Sequence, residues 1–260
     1  MRDDSAAGQF FGLVLILSLP LYALGATGIT LPFAPALPIS AVMACVPMSA
    51  ALILVTHQDG VKAARGLFAS AFRVRTIPNI GWALVALGFM PVAFLVTGGI
   101  VWLSGIALPD LHLLPASAII PAFALFFLGA VGEEIGWQGY AYPALAGRHS
   151  ALTTALTIGV VWALWHVIPF VLMGRSAIWI IWHGLGIVLM RITIVWLVAN
   201  AGQSILIAVL FHMMSNSVWG VFPDFAPWYD PRVMTVVLLA AVMAIVTLWG
   251  PSTLKQFRYS

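Results

Sequence analysis

Eight apolar runs, each of about the length that spans a bilayer, leave few folds open to this chain. They fall near 8–28, 37–56, 79–103, 117–144, 152–172, 177–198, 204–222 and 232–250. A helix needs about 20 consecutive apolar residues to cross the hydrocarbon, because only there are all its backbone polar groups satisfied internally. Hydrophobic residues make up 62% of the chain and charged residues 7%, a balance unlike that of a soluble domain. Strands of a membrane β-barrel would alternate polar and apolar side chains, and these runs do not. The sequence therefore predicts an all-α, polytopic bundle of about eight spans, a single integral-membrane domain over 1–260.

The first run could imitate a signal peptide. Asp3 and Asp4 precede it, however, and seven more runs follow, so it reads as the first transmembrane helix. Cys45 is the single cysteine, which excludes an internal disulfide and a Cys-rich zinc cluster; it reads as a packing residue of the second span. Trp102, Trp228, Tyr229 and Trp249 lie near span ends, where Trp and Tyr favour the headgroup region.

The formal charge of +3 is no nucleic-acid signature, because the basic residues follow topology. With eight spans, both termini share a side. That side carries Arg2, Lys62, Arg65, Arg73, Arg75, Arg148, Lys255 and Arg258, and the other only Arg175 and Arg232. Excess Lys and Arg face the cytoplasm, so both termini are expected there. The segment 60–75 alternates basic and apolar residues in the manner of a basic interfacial helix.

Against this background the two glutamates stand out, side by side as Glu133-Glu134 inside the fourth run. An acid near the bilayer centre costs about 2.5–3.5 kcal/mol on insertion scales and marks a functional site by default. The other clear intramembrane polar residues are His166, His183, Arg191, His212 and Asn216. At about 1.5 Å of rise per residue, Glu133, His166 and Asn216 lie roughly 20 Å from the side of the termini, and His212 roughly 13 Å. Three helices thus bring an acid, two imidazoles and an amide to similar levels. A carboxylate with a histidine can activate water against a carbonyl carbon, and a histidine and an asparagine four residues on can donate to the oxyanion. Glu133, His166 and His212 would equally make a zinc set with an open water position, although no His-Glu-x-x-His is present. His183, outside these groupings, reads as a hydrogen bonder of the bundle interior. Glycines at 129, 132, 136 and 139 share a helix face and would let neighbours approach or shape a site.

At these residues the chain resembles the CPBP intramembrane proteases, also called the CAAX-protease and bacteriocin-processing or Abi family. The motifs read G-E-E-I-G-W-Q-G-Y at 132–140, W-A-L-W-H at 162–166 and F-H-M-M-S-N at 211–216, in the family order. Arg191, Trp196, Asn200 and Ser204 also stand at familiar positions, and the resemblance covers about 120–220, within a catalytic core of 117–222. It implies hydrolysis of a peptide bond within or beside the membrane. Glu133 and His166 would activate water, and His212 and Asn216 would support the oxyanion. Glu134, Gln138, Trp162 and Arg191 would shape the site. The family has been described both as metal-free glutamate proteases and as metalloproteases; a metal-free site is the expectation here. Where the family has arginine, this chain has Gln138, one turn after Glu134. Glu134 is then either a neutral acid or ion-paired with Arg191.

Two other classes use the same residues: a proton-coupled transporter with a Glu/His relay, and a non-catalytic scaffold or immunity protein. Inverted repeats and interrupted helices, which transporters show, are not seen in the sequence. Expected partners are the lipid bilayer and a membrane-associated protein or peptide, with no nucleic acid. The compact chain, without a eukaryotic sorting tail, points to a bacterial cytoplasmic membrane.

Overall fold

The computed structural model describes residues 4–31, 34–106, 113–222, 229–255 and 257, with the backbone alone for 34–38. Among them, helices run over α1 Asp4–Gly25, α2 Val46–Asp59, α3 Val61–Ser70, α4 Ile80–Leu103 and α5 Ala116–Gly136. They continue with α6 Tyr142–Ala146, α7 Ala151–Leu172, α8 Ala177–Asn200, α9 Ile205–Gly220 and α10 Pro231–Trp249. A short antiparallel hairpin, β1 Thr30–Leu31 and β2 Ala34–Pro38, and a 3-10 stretch Ile39–Cys45 link α1 to α2. The protein is an all-α polytopic bundle.

Seven helical segments are long and apolar enough to cross a bilayer. The remaining run, 204–222, forms α9, which has 16 residues and so rises about 24 Å. It sits among α4, α5 and α8 rather than at the rim. Its neighbours, more than its own length, satisfy its surroundings. The expected interfacial helix is α3, whose Lys62 and Arg65 are exposed beside exposed Val61 and Phe68.

Local chemistry sets several boundaries. Ser150 accepts a bond from the Thr153 N–H at the start of α7, Ser176 from Trp179 at the start of α8, and Asp230 from Arg232 at the start of α10. Each caps an N–H that a helix start leaves without an intrahelical partner. Pro169, inside α7, has no N–H to offer the carbonyl four residues back. That carbonyl, of Trp165, instead accepts from the Tyr22 hydroxyl of α1 at 2.7 Å. The Trp165 indole donates to Ser18 at 2.7 Å, so the proline gap becomes a polar tie between α1 and α7.

The fourth span is not one regular helix. After α5 comes a π-turn, Trp137–Ala141, in which the Tyr142 N–H bonds the Trp137 carbonyl five residues back. Pro143 follows at the first turn of α6 and cannot extend an ordinary ladder to Gly139. Such wide turns gather at functional sites, and this one directly follows Glu133-Glu134.

The glycine face of this span serves close packing. A Cβ on Gly132 would lie 2.5 Å from the Ala44 carbonyl oxygen, and one on Gly136 2.5 Å from that of Pro47. Cys45, beside this contact, is exposed rather than packed, because the glycines bring its backbone against α5 and turn its side chain outward.

Both termini lie at one end of the bundle. Asp4 reaches Arg148 at 3.7 Å, the Ala151 N–H bonds the Ser252 carbonyl, and Asn200 donates to the Leu254 carbonyl at 2.8 Å. The opposite end holds the β hairpin, the turn around Arg175 and the bond from the Leu114 N–H to the Val221 carbonyl.

Candidate active site

Glu133 and Glu134 occupy the last turn of α5, both buried. Their side chains have different partners. Glu134 is fully enclosed and takes a bidentate ion pair from Arg191 of α8, with oxygen–nitrogen distances of 2.7 and 2.9 Å. His212 of α9 reaches the same carboxylate through Nδ1 at 2.9 Å. A carboxylate only accepts, so that nitrogen carries the proton. Of the two holdings open to Glu134, the structure has the ion pair with Arg191.

Glu133 is held by α7. The indole N–H of Trp162 donates to Oε2 at 2.6 Å. Its other oxygen, Oε1, lies 3.9 Å from Nε2 of His212 and is free of any hydrogen bond among the described residues. Trp162 also fixes His166: its backbone carbonyl accepts from His166 Nδ1 at 2.9 Å. Because the carbonyl cannot donate, the proton is on Nδ1 and Nε2 of a neutral His166 carries a lone pair. The face of Trp162 lies under the Arg191 guanidinium at 4.3 Å, and its ring meets the His212 ring edge-on at 5.0 Å. One tryptophan therefore touches the acid, both histidines and the buried cation.

Glu133, Trp162, His166, His212 and Asn216 line one cavity of about 110 Å³. Asn216 is one turn after His212 on α9, which puts the two on one face. The structure thus brings together all four residues expected to be catalytic, and Trp162 with them. Arg191 and Glu134 lie behind His212 rather than on the cavity wall.

Gln138 is displaced from its expected partner. It stands one turn after Glu134, within the π-turn. It makes no hydrogen bond to Glu134 among the described contacts, does not line the cavity, and its buried Oε1 has no partner. Asn200 is structural: its amide holds the Trp196 and Leu254 carbonyls at 2.7 and 2.8 Å.

Three cavity residues escape a motif reading. His183 stacks on Trp179 at 4.4 Å and hydrogen-bonds the Tyr229 hydroxyl at 3.1 Å, as an interior bonder should, yet it also forms cavity wall. Tyr229, expected in the headgroup belt, turns inward to meet it because a buried hydroxyl needs a partner; Trp228 lies outside the described residues. Trp219 follows Asn216 by three residues, a helical spacing that the sequence does display.

The alternative zinc set does not form a ligand cluster. Among the described residues no three His, Cys, Asp or Glu side chains are grouped to hold one ion. Glu133 Oε1 and the Nε2 atoms of His166 and His212 are left without hydrogen bonds among the described residues, with His212 Nε2 3.9 Å from Oε1.

Comparison with known proteins is concordant with this geometry. Residues 115–218, which hold α5, α7, α8 and nearly all of α9, match the family described as "Type II CAAX prenyl endopeptidase Rce1-like". The chain is also 37% identical over 57 residues to the CAAX prenyl protease 2 of Methanococcus maripaludis. That match covers 22% of this chain and 21% of the relative, so the aligned stretch spans about a fifth of the curated protein's length. Through this core the chain, an integral multi-pass membrane protein, is similar to the CAAX-type proteases.

Proposed function

We propose that this protein is an intramembrane endopeptidase in which Glu133 and His166 activate a water and His212 and Asn216 stabilise the oxyanion. The observation that carries the reading is the convergence of these four side chains, from three helices, on one buried cavity. Glu133 Oε1 and His166 Nε2 are both free to act as bases there. A water between them gives a proton to Glu133 while its oxygen attacks the scissile carbonyl carbon. The oxyanion then accepts from the Asn216 amide, and from Nε2 of His212 when both imidazole nitrogens are protonated. As the intermediate collapses, Glu133 returns the proton to the leaving amine, which leaves a carboxylate and an amine as products. Burial excludes competing water and strengthens each of these interactions.

Glu134 and Arg191 orient His212. Their bidentate pair fixes the carboxylate that in turn fixes Nδ1, so Nε2 points at the cavity. The ligand geometry supports a metal-free site. Purified protein is expected to carry no stoichiometric zinc, and a chelator is expected to leave cleavage unchanged. Loss on chelation with rescue by zinc would overturn this part of the reading.

The substrate is a membrane-associated protein or peptide, and the setting is a bacterial cytoplasmic membrane with both termini in the cytoplasm. The test compares peptide termini in membranes of cells producing wild type or Glu133→Gln. General-base loss is expected to lower cleavage by about 10²–10⁴-fold. A set of termini that appears with both proteins alike would sink the assignment. Proton-coupled uptake lost in Glu133→Gln with no change in any terminus would point to a transporter instead.

A further inference from the structure

We propose that α3 and the turn after it form a binding surface for anionic phospholipid headgroups, seated on the two helices that carry Glu133 and His212. The surface stands apart from the cavity and does not depend on the hydrolytic reading.

Position fixes what this segment meets. α2 ends at Asp59 and α4 begins at Ile80, and both belong to segments long enough to cross a bilayer. Residues 60–79 therefore lie where hydrocarbon gives way to water. Over that stretch the chain has four cations, Lys62, Arg65, Arg73 and Arg75, and no acid. All four are exposed, and none has an ion-pair partner among the described residues. Val61, Phe68, Phe72 and Val74 are exposed beside them.

The helix sorts these groups by angle. At about 100° per residue, Ala64, Leu67 and Ala71 share one side of α3 and its continuation. That side is the packed one, with Ala64 and Ala71 buried and Leu67 half-buried. Val61, Phe68 and Phe72 fall on the adjoining stripe, and the rings of Phe68 and Phe72 meet at 5.5 Å. Arg65 borders that stripe and Lys62 lies beyond it. A helix with this order, lying in the membrane plane, sinks its apolar stripe among acyl chains while its Lys and Arg stems reach the headgroups. Zwitterionic headgroups carry no net charge, so four cations without an acid select the anionic ones.

The packed side reaches α5 and α9. Leu67 and Ala71 join one apolar cluster with Val131 and Ile135 of α5 and Ile205 and Val209 of α9. Val131 and Ile135 flank Glu133 and Glu134, and Val209 precedes His212 by three residues. A Cβ on Gly139, in the π-turn, would lie 2.8 Å from Leu67 and 3.0 Å from Ile205, so the three elements close on one point. The turn after α3 is pinned as well. Gly202, between α8 and α9 at a φ of +69°, sits so close to the Thr76 carbonyl that a Cβ would overlap it. α3 is thus a shelf fixed to the site's helices, with its charge turned outward.

Photo-crosslinking tests this without needing turnover. In the full chain, benzoylphenylalanine replaces Phe68, or Leu95, exposed at mid-span on α4, as a lipid-facing reference. Each protein is placed in vesicles of equal phosphatidylcholine and phosphatidylglycerol and irradiated, and its adducts are identified by mass. A Lys or Arg at the surface favours an anionic headgroup by about fivefold. Phosphatidylglycerol adducts at 68 are expected to exceed phosphatidylcholine adducts by at least about fivefold, and adducts at 95 to follow the bulk ratio. Lys62→Gln with Arg65→Gln should return position 68 to near the bulk ratio, and so should about 1 M salt, which screens charges beyond about 3 Å. If that pair fails to fold, Arg73→Gln with Arg75→Gln carries the same expectation. Equal ratios at 68 and 95, or an enrichment that survives either treatment, overturn the proposal. Adducts at 68 to protein alone, or none while 95 labels lipid, overturn it too. Glu133→Gln should leave the lipid ratio unchanged, so a failed protease reading and a failed lipid surface are told apart.

Discussion

Trp162 is the residue on which the site turns. Its N–H, carbonyl and ring hold Glu133, His166 and Arg191 at once. Trp162→Phe removes only the N–H, and hydrogen bonds to charged groups contribute about 1.5–3 kcal/mol. Cleavage by Trp162→Phe is therefore expected to fall about 10- to 100-fold, mainly in kcat, with the fold intact by circular dichroism. A change confined to KM would show that Trp162 contacts substrate instead. Breaking the buried pair behind it is a matter of stability. Arg191→Met should cost about 3–5 kcal/mol, and adding Glu134→Gln should restore part of it, because no unpaired charge then remains. Thermal unfolding in detergent measures both. The four positions proposed as catalytic were legible because their residue types are expensive in hydrocarbon and sit in ordered motifs. Tyr229 was not, because nothing in its neighbours distinguishes a tyrosine in the headgroup belt from one turned inward to a histidine.

At the scale of elements, the apolar spans were readable and the π-turn was not. Ser150, Ser176 and Asp230 cap helix starts that the apolar runs bound only loosely. The wide turn at Trp137–Ala141 depends on how α5 seats against Ala44 and Pro47, a tertiary fact. Gln138, at the family arginine position, lies within this turn and makes no hydrogen bond to Glu134 among the described contacts. Two glycines of the same face should respond differently to one methyl. Gly136→Ala would drive a Cβ to 2.5 Å from backbone and destabilise by about 1–3 kcal/mol. Gly129→Ala would meet only the Ala44 Cβ at 3.7 Å and should be close to neutral. Equal effects would mean that α5 does not rest on these backbones. Asp230, outside the membrane, is held below its usual carboxylate range, first by the hydrogen bond from Arg232. Its contribution is present above the ordinary carboxylate range and is lost as pH falls through its lowered value. Asp230→Ala should lower stability by about 1 kcal/mol at neutral pH. The difference from wild type should shrink in acid.

At the scale of the molecule, the eight apolar runs set the order of the apolar helices, since each must satisfy its own backbone in lipid. The β hairpin before α2 is too short to have a period, and it went unseen. The brevity of α9 was also hidden, although that helix carries His212 and Asn216. Its place among α4, α5 and α8 is what sets both side chains against Glu133. The most direct measurement is hydrolysis itself. Purified protein in lipid vesicles would be incubated with the membrane proteome of the producing cells in ¹⁸O-labelled water. Wild type should create new carboxyl termini carrying one ¹⁸O, and Glu133→Gln, His166→Ala and Asn216→Ala should each lose the same set. New termini of equal yield with Glu133→Gln, or none above the protein-free control with wild type, would contradict a Glu133-activated water.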